Sequence, residues 1–339
     1  MPLAEPYTIA YETIDHCVNI ILKITTDTGI CGWGCASPSL PVTGETPQSV
    51  LHDFTQTIEP WLKGMNPFRY ALINSELQQF LPKSPSARAM ADMAIYDMMA
   101  KRAQVPLYQL LGGYRECIAT SITIGILSVE DTLAKAGEFL KKGFFILKIK
   151  GGANVDEDIE KMIKLREAFG RAIELRFDAN QGYTVAQSIR FIKETMDVGI
   201  ELLEQPTASA AKEMLGEVTS KVPVPVMADE SLLSLQDVFH LASNNWTDLI
   251  NIKLMKTGGI TEAMHINSVA KAAGVKAMVG CMDESAIAIA AGLHFALSRH
   301  NVHYADLDGH LDLLDDPFAG TVILKDGVLW PAEGHGLGY

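Results

Sequence analysis

Between Ala119 and Asp306 of this 339-residue chain, eight short apolar runs rich in β-branched residues recur at a nearly constant interval. They are ATSITIG (119–125), FFILKIK (144–150), AIELRFD (172–178), IELLE (200–204), VPVMAD (224–229), DLINIK (248–253), KAMVGC (276–281) and VHYAD (302–306). Read as strands, their ends fall at Thr123, Lys150, Asp178, Glu204, Asp229, Lys253, Cys281 and Asp306, in steps of 27, 28, 26, 25, 24, 28 and 25 residues. Between them lie segments such as VEDTLAKAGEFLKKG and GITEAMHINSVAKAAG, whose apolar positions follow the helical period. Strand and helix alternating at this interval make parallel βαβ units. Eight in succession predict an α/β fold of the (β/α)8 type, a TIM barrel. A doubly wound open sheet is the competing fold. It would carry fewer strands and, for a nucleotide, a glycine-rich turn, yet neither GxGxxG nor GxxxxGK[ST] occurs.

The flanks read differently. In residues 1–115, IAYETI, HCVNIILKITTDTG and ICGWGC suggest a small antiparallel meander turning at Asp27–Gly29. TPQSVLHDFTQTIEPWLKG and SARAMADMAIYDMMAKRA follow as helices. That predicts an α+β capping domain over 1–115, a barrel domain over 116–316, and a C-terminal segment, 317–339, whose VILKDGVLWP pairs as strands and returns to the cap.

Twenty-eight basic against 41 acidic residues leave a net charge of −13, which argues against a nucleic-acid-binding face. No apolar run reaches the ~18 residues of a membrane span, and MPLAEPYTIA has no cationic stretch before an apolar one. The five cysteines, Cys17, Cys31, Cys35, Cys117 and Cys281, are odd in number and form no CxxC. A reducing, cytoplasmic setting is expected. A small-molecule partner fits better than nucleic acid or membrane, and a homo-oligomer is compatible with the sequence.

In such barrels the chemistry sits at the C-terminal ends of the strands. Strands three, four and five end on Asp178, Glu204 and Asp229. A single acid at a strand end is commonly a cap. Three in phase converge, repel one another and call for a cation, and hard oxygen ligands suit Mg2+. Lys148 and Lys150 alternate onto one face of strand two, and Lys253 ends strand six. Snorkelling surface lysines are the simpler alternative, but FFILKIK is too apolar for an edge strand. A ligand on the metal would lie between Lys150 and Lys253. The charges of Lys148 and the metal would draw the pKa of Lys150 towards neutrality, as a base requires. Asp306 and Asp308, in YADLDGH, are suited either to an ammonium or to a solvated turn. No HExxH or GxSxG is present.

The motifs Lys148-Ile149-Lys150, Asp178-Ala179-Asn180, Glu204-Gln205-Pro206, Ala228-Asp229-Glu230-Ser231 and Asn251-Ile252-Lys253, the last followed by Lys256-Thr257-Gly258-Gly259-Ile260, resemble the enolase superfamily. More narrowly they resemble dipeptide epimerases of its muconate lactonizing enzyme subgroup. Gly32-Trp33-Gly34, Ala94-Ile95-Tyr96-Asp97 and Leu111-Gly112-Gly113 extend the likeness through the N-terminal part. The resemblance implies a (β/α)7β-type modified TIM barrel and one Mg2+ per subunit on Asp178, Glu204 and Asp229. It implies catalytic Lys150 and Lys253, and a 1,1-proton transfer through an enolate that inverts the C-terminal residue of a dipeptide. It also implies that Asp306 and Asp308 hold the α-ammonium. Thr123, Lys148, Cys281 and Asp283 would line the substrate pocket, and Asn180, Glu230 and Glu284 would support it. Cys35 stands where the family's capping loop usually has Glu.

L-Ala-D/L-Glu and a role in murein peptide recycling follow from the same likeness. However, the stretch ASPSLPVTGET (36–46) has no Lys or Arg to pair a glutamate side chain, and it contains Glu45. Apolar or aromatic residues are therefore expected at least as readily, unless a cation from elsewhere, such as Lys23 or Arg69, reaches the pocket. The rivals are o-succinylbenzoate synthase and muconate cycloisomerase, which have no use for an ammonium site, and a catalytically inactive barrel scaffold.

Overall fold

Alternation decides how the barrel forms. The computed structural model describes residues 1–9 and 13–339. In it the barrel strands are β6 (Ile122–Ile124), β7 (Ile146–Lys150), β8 (Glu174–Asp178), β9 (Leu202–Glu204), β10 (Val226–Ala228), β11 (Leu249–Lys253), β12 (Lys276–Gly280) and β13 (Val302–Asp306), each parallel to the next. Leu147 and Ile149 on β7 point outwards into the main core under the surrounding helices. Lys148 and Lys150 therefore face the barrel axis. Lower in the barrel, Leu202, Met227, Leu249 and Met278 fill the interior, so the barrel is a packed core and not a pore. The gap between β13 and β6 is bridged by Thr120 beside Ala305 and by the Ser121 amide on the Ala305 carbonyl at 3.2 Å.

The run ATSITIG is not one strand. Only its second half, β6, joins the barrel; β5 (Ile118–Ala119) pairs instead with the tail hairpin β14 (Val322–Lys325) and β15 (Val328–Pro331). The tail then runs onto the N-terminal part. The Leu107 amide donates to the Gly336 carbonyl at 2.8 Å, and the Leu337 and Trp33 amides both donate to the Asp97 carboxylate at 2.9 Å.

The N-terminal strands make two separate two-stranded antiparallel sheets where a single meander is expected: β1 (Pro2–Thr8) with β2 (Thr13–His16), and β3 (Ile20–Thr25) with β4 (Cys31–Ala36). Half of IAYETI, residues 10–12, lies outside the described residues. Paired with β2, β1 lies over the barrel mouth. Its Ala4 amide reaches the Asp312 carbonyl at 2.8 Å, and its Thr8 carbonyl takes the Ile126 amide at 2.7 Å. Behind β4 runs the helix Pro85–Ala103, rich in alanine and almost wholly buried. It comes so close that a Cβ on Gly34 would stand 1.9 Å from the Met90 carbonyl oxygen, and one on Gly32 2.0 Å from that of Ala94. The stretch after Thr46 is helical, interrupted by a π turn at Phe54–Ile58, and a further helix, Tyr70–Phe80, follows it.

The cap is joined to the barrel through Asp92 of the long helix. Its carboxylate accepts from the amides of Ile260 (2.5 Å) and Thr261 (3.2 Å), the free first N–H groups of helix Ile260–Ala272, and from Asn74 Nδ2 at 2.8 Å.

Candidate active site

Asp178, Glu204 and Asp229 stand at or just past the ends of β8, β9 and β10, where adjacent parallel strands bring their side chains to one level. One carboxylate oxygen from each lies within 4.8 Å of the others, and all three residues are buried. Four lysines surround them. Lys150 Nζ donates to Asp178 Oδ2 at 2.7 Å, and Lys253 Nζ to Asp229 Oδ2 at 2.9 Å. Lys148 Nζ lies 3.2 Å from Asp178 and 2.8 Å from both Glu204 and Asp306. Lys256 Nζ meets Asp229 through its carboxylate and, at 2.6 Å, its carbonyl.

The electrostatics follow from these pairings. Burial works against the Asp229 charge, but Lys253 and Lys256 outweigh it and hold the carboxyl well below its ordinary range. Burial equally opposes the Asp178 charge, and Lys150 and Lys148 again prevail. Burial disfavours the Lys253 ammonium too, yet Asp229 beside it keeps it above its usual value. Glu204 is the exception: burial and the Asp178 charge push it up to about 7. Asn251 Nδ2 donates to its Oε1 at 2.7 Å. Its Oε2 has no aligned hydrogen bond, although Lys148 Nζ is 2.8 Å away. A buried carboxylate oxygen without an aligned donor, beside two more carboxylates, is an environment suited to a cation, so the donor set fits a hard divalent ion.

Asp306 ends β13, accepting from Lys148 Nζ (2.8 Å) and Ser121 Oγ (2.6 Å); burial is opposed by Lys148 and the carboxyl falls to about 2. Asp308, two residues on, takes the Thr123 amide at 2.6 Å and, among the described residues, no cation. Burial and the Asp306 charge push it up to about 7. Cys281 Sγ accepts from the Gly309 amide at 3.3 Å, and burial raises its thiol well above the ordinary value, so it is a neutral wall. Thr123, Lys148, Lys150, Lys253, Asp283 and Asp308 all border one cavity under the cap. Asn180 Nδ2 donates to Glu230 at 3.2 Å, and Glu284 takes the Met282 amide at 2.8 Å.

Two elements of the sequence argument change. Glu45 does not face the cavity. Its carboxylate accepts from the Ser86 and Ala87 amides at 2.8 and 3.1 Å, capping the long helix. Val42 is the residue of that loop which borders the cavity. Lys23 and Arg69 do not border it: Lys23 Nζ sits 5.0 Å over the Trp33 ring, and Arg69 is exposed. A cation does reach the lining from elsewhere, Lys135, which is paired with Glu5. Asn251 and Lys256 were not anticipated as members of the cluster. Asn251 is two residues before Lys253 on β11, so the alternation that pairs Lys148 with Lys150 also marks it.

Residues 1–112 match the family described as mandelate racemase / muconate lactonizing enzyme, N-terminal domain, and residues 131–339 match enolase C-terminal domain-like. The chain belongs to the enolase superfamily. Among its relatives in that superfamily is the L-Lys-D/L-Arg epimerase of Desulforapulum autotrophicum, 42% identical over all of this chain and 96% of that protein. The structure of a substrate-liganded L-Ala-D/L-Glu epimerase from Bacillus subtilis superposes with a TM-score of 0.97 at 38% identity, covering 99% of this chain and 95% of that one. A dipeptide epimerase from Enterococcus faecalis, complexed with Mg and L-Leu-L-Tyr, gives 0.97 at 40% identity over 100% and 96%. The superfamily's barrel and cap thus extend over the whole chain.

Proposed function

We propose that this protein is an isomerase, a Mg2+-dependent dipeptide epimerase that inverts the α-carbon of the C-terminal residue by two-base 1,1-proton transfer. The observation that carries it is the placement of Lys150 and Lys253 on β7 and β11, each on a different carboxylate of the cluster and both opening on one cavity. Asp178, Glu204 and Asp229 would hold the ion. An ion held there would supply Lewis-acid chemistry to the substrate carboxylate and offset the charge of the three carboxylates, leaving the lysines to act on the α-proton.

The residues of the chain do the rest. Asp308 offers a carboxylate with no cation among the described residues, and Asp306 adds negative charge beside it, a seat for the α-ammonium. With both ends of the dipeptide fixed, the α-carbon lies between two Nζ atoms. Lys150 takes the α-proton from one face and Lys253 returns one to the other, with the roles reversed for the opposite epimer. Cap strand β1 and loop residue Val42 close the mouth against water.

L-Ala-D/L-Glu, a murein-derived dipeptide, is accepted. Because the wall formed by Ile9, Ile14 and Val42 is apolar, a broad range of L-Ala-Xaa with apolar or aromatic Xaa is accepted as well. All five cysteines are free thiols, in keeping with a cytoplasmic enzyme. The test is α-proton exchange in D2O. With Mg2+, the parent should wash deuterium into both epimers. Lys150→Ala and Lys253→Ala should each lose epimerisation by orders of magnitude while retaining exchange of one epimer. Epimerisation at the parent rate in either variant refutes the scheme.

A further inference from the structure

Asp283 is a half-buried cavity carboxylate for which a simple dipeptide brings no counter-charge. It follows β12 in the loop that forms one wall of the cavity. The Tyr7 hydroxyl lies 3.1 and 3.0 Å from its two oxygens. Among the described residues no Lys, Arg or His nitrogen comes within 4.0 Å of it, and residues 10–12, Ala-Tyr-Glu, contain no base. The backbone carrying it is pinned from the cap: Asn19 Nδ2 and Ser37 Oγ donate to the Asp283 carbonyl at 3.2 and 2.9 Å, and the Ser285 amide donates to Asn19 Oδ1 at 3.0 Å. Burial raises its carboxyl to about 6 against the pull of Tyr7 and of the more distant Lys150 and Lys253. It therefore feels both lysines between which the α-carbon is held.

The charges of a bound dipeptide can be assigned one by one. Its carboxylate goes to the metal site and its ammonium to Asp308, while Lys148 is matched by Asp306 and Glu204. Glu5 and Asp312 also border the cavity but are exposed, and Glu230 takes the Asn180 side-chain amide. Asp283 is left half-buried and without a cation, an unfavourable state for a carboxylate.

Resting on the epimerase reading above, we propose that Asp283 selects a basic side chain on the epimerised residue, so that dipeptides ending in Arg or Lys are the preferred class. Such a side chain has an aliphatic stem as well as a charged head. The stem suits the wall of Ile9, Ile14 and Val42, and the head completes the pair with Asp283 and Tyr7. Leucine or phenylalanine satisfies the wall alone. Glutamate adds a second anion beside the first.

The experiment compares kcat/KM of the Mg2+-loaded protein for L-Ala-L-Arg, L-Ala-L-Lys, L-Ala-L-Leu and L-Ala-L-Glu, read by α-proton exchange in D2O. A charge-assisted hydrogen bond predicts Arg and Lys over Leu by roughly ten- to a hundredfold, with Glu last. In Asp283→Asn the Arg-to-Leu ratio should collapse to within about threefold. Turnover of Leu at or above the rate of Arg and Lys in the parent overturns the proposal and leaves the epimerase reading intact. A parent preference that survives in Asp283→Asn overturns the assignment to this residue. No exchange with any of the four would remove the epimerase reading and this proposal with it.

Discussion

Helix Ala286–Ser298 carries a histidine with no access to water, and it should make the fold acid-sensitive well away from the chemistry. His294 is wholly buried. Its Nδ1 accepts the Tyr108 amide at 2.9 Å, which leaves the proton on Nε2, where it finds no partner. Burial pushes its pKa from 6.5 down to about 3. The folded state therefore refuses a proton that the unfolded chain accepts. The sign follows: the contribution is fully present above pH 6.5 and is lost as pH falls from there towards 3. At about 1.4 kcal/mol per pH unit, the loss is about 2 kcal/mol by pH 5, with a ceiling of about 5 kcal/mol below pH 3. His294→Asn keeps an acceptor near the Nδ1 position and cannot be protonated. The variant will be less stable at pH 7.5, because the smaller side chain leaves a void. The informative quantity is how much each protein loses on going to pH 5.0. Urea unfolding at both pH values should show the parent losing about 2 kcal/mol more than the variant. His310, pushed to about 4 mainly by burial, contributes equally to both and cancels. Equal losses would refute the assignment of the acid sensitivity to His294.

Three further outcomes follow from the site and the cap. Mg2+ binding measured by calorimetry should be tight in the parent and at least tenfold weaker in Glu204→Gln, and EDTA should abolish exchange until Mg2+ is restored; full activity in metal-free protein would remove the role given to the acidic triad. Asp306→Asn combined with Asp308→Asn should raise KM for free dipeptides by more than tenfold, and N-acetylated dipeptides should be poor substrates of the parent; equal turnover of acetylated and free forms would favour the sister-enzyme chemistry. Gly34→Ala places a methyl group 1.9 Å from the Met90 carbonyl oxygen, so it should cost about 1–3 kcal/mol or more in thermal or urea unfolding; an unchanged midpoint would mean that the helix can back away from β4.

Much of the site is legible in sequence because strands have a period of two and the barrel repeats. Lys148 with Lys150, and the acids ending strands three to five, each follow from counting. What escapes has physical reasons. ATSITIG has no glycine or proline between Ala119 and Ile122, so nothing local marks the change from one sheet to another at Thr120. The helix Tyr70–Phe80 has Asn74 and Ser75, poor helix formers, at its centre; Asn74 is there because Asp92 and Thr261 accept from it at 2.8 and 2.7 Å. Glu45 reads as a pocket charge because its partners, the amides at Ser86 and Ala87, are some forty residues away along the chain. Lys256 falls just beyond β11, where strand alternation no longer says which way a side chain points.

The contact of Asp92 with the amides of Ile260 and Thr261 bears on how such proteins can be recombined. The apparent seam in the chain lies near residue 115, and an exchange of caps between relatives would naturally be cut there. The helix that Asp92 terminates begins seven residues after Lys253. A foreign cap without that carboxylate would leave buried amides unmatched immediately behind a proposed proton donor. One with a differently placed acid would tug on the segment that sets its position. A chimera intended to transplant side-chain preference should therefore carry the start of helix Ile260–Ala272 together with the cap, although the two are more than a hundred residues apart in sequence.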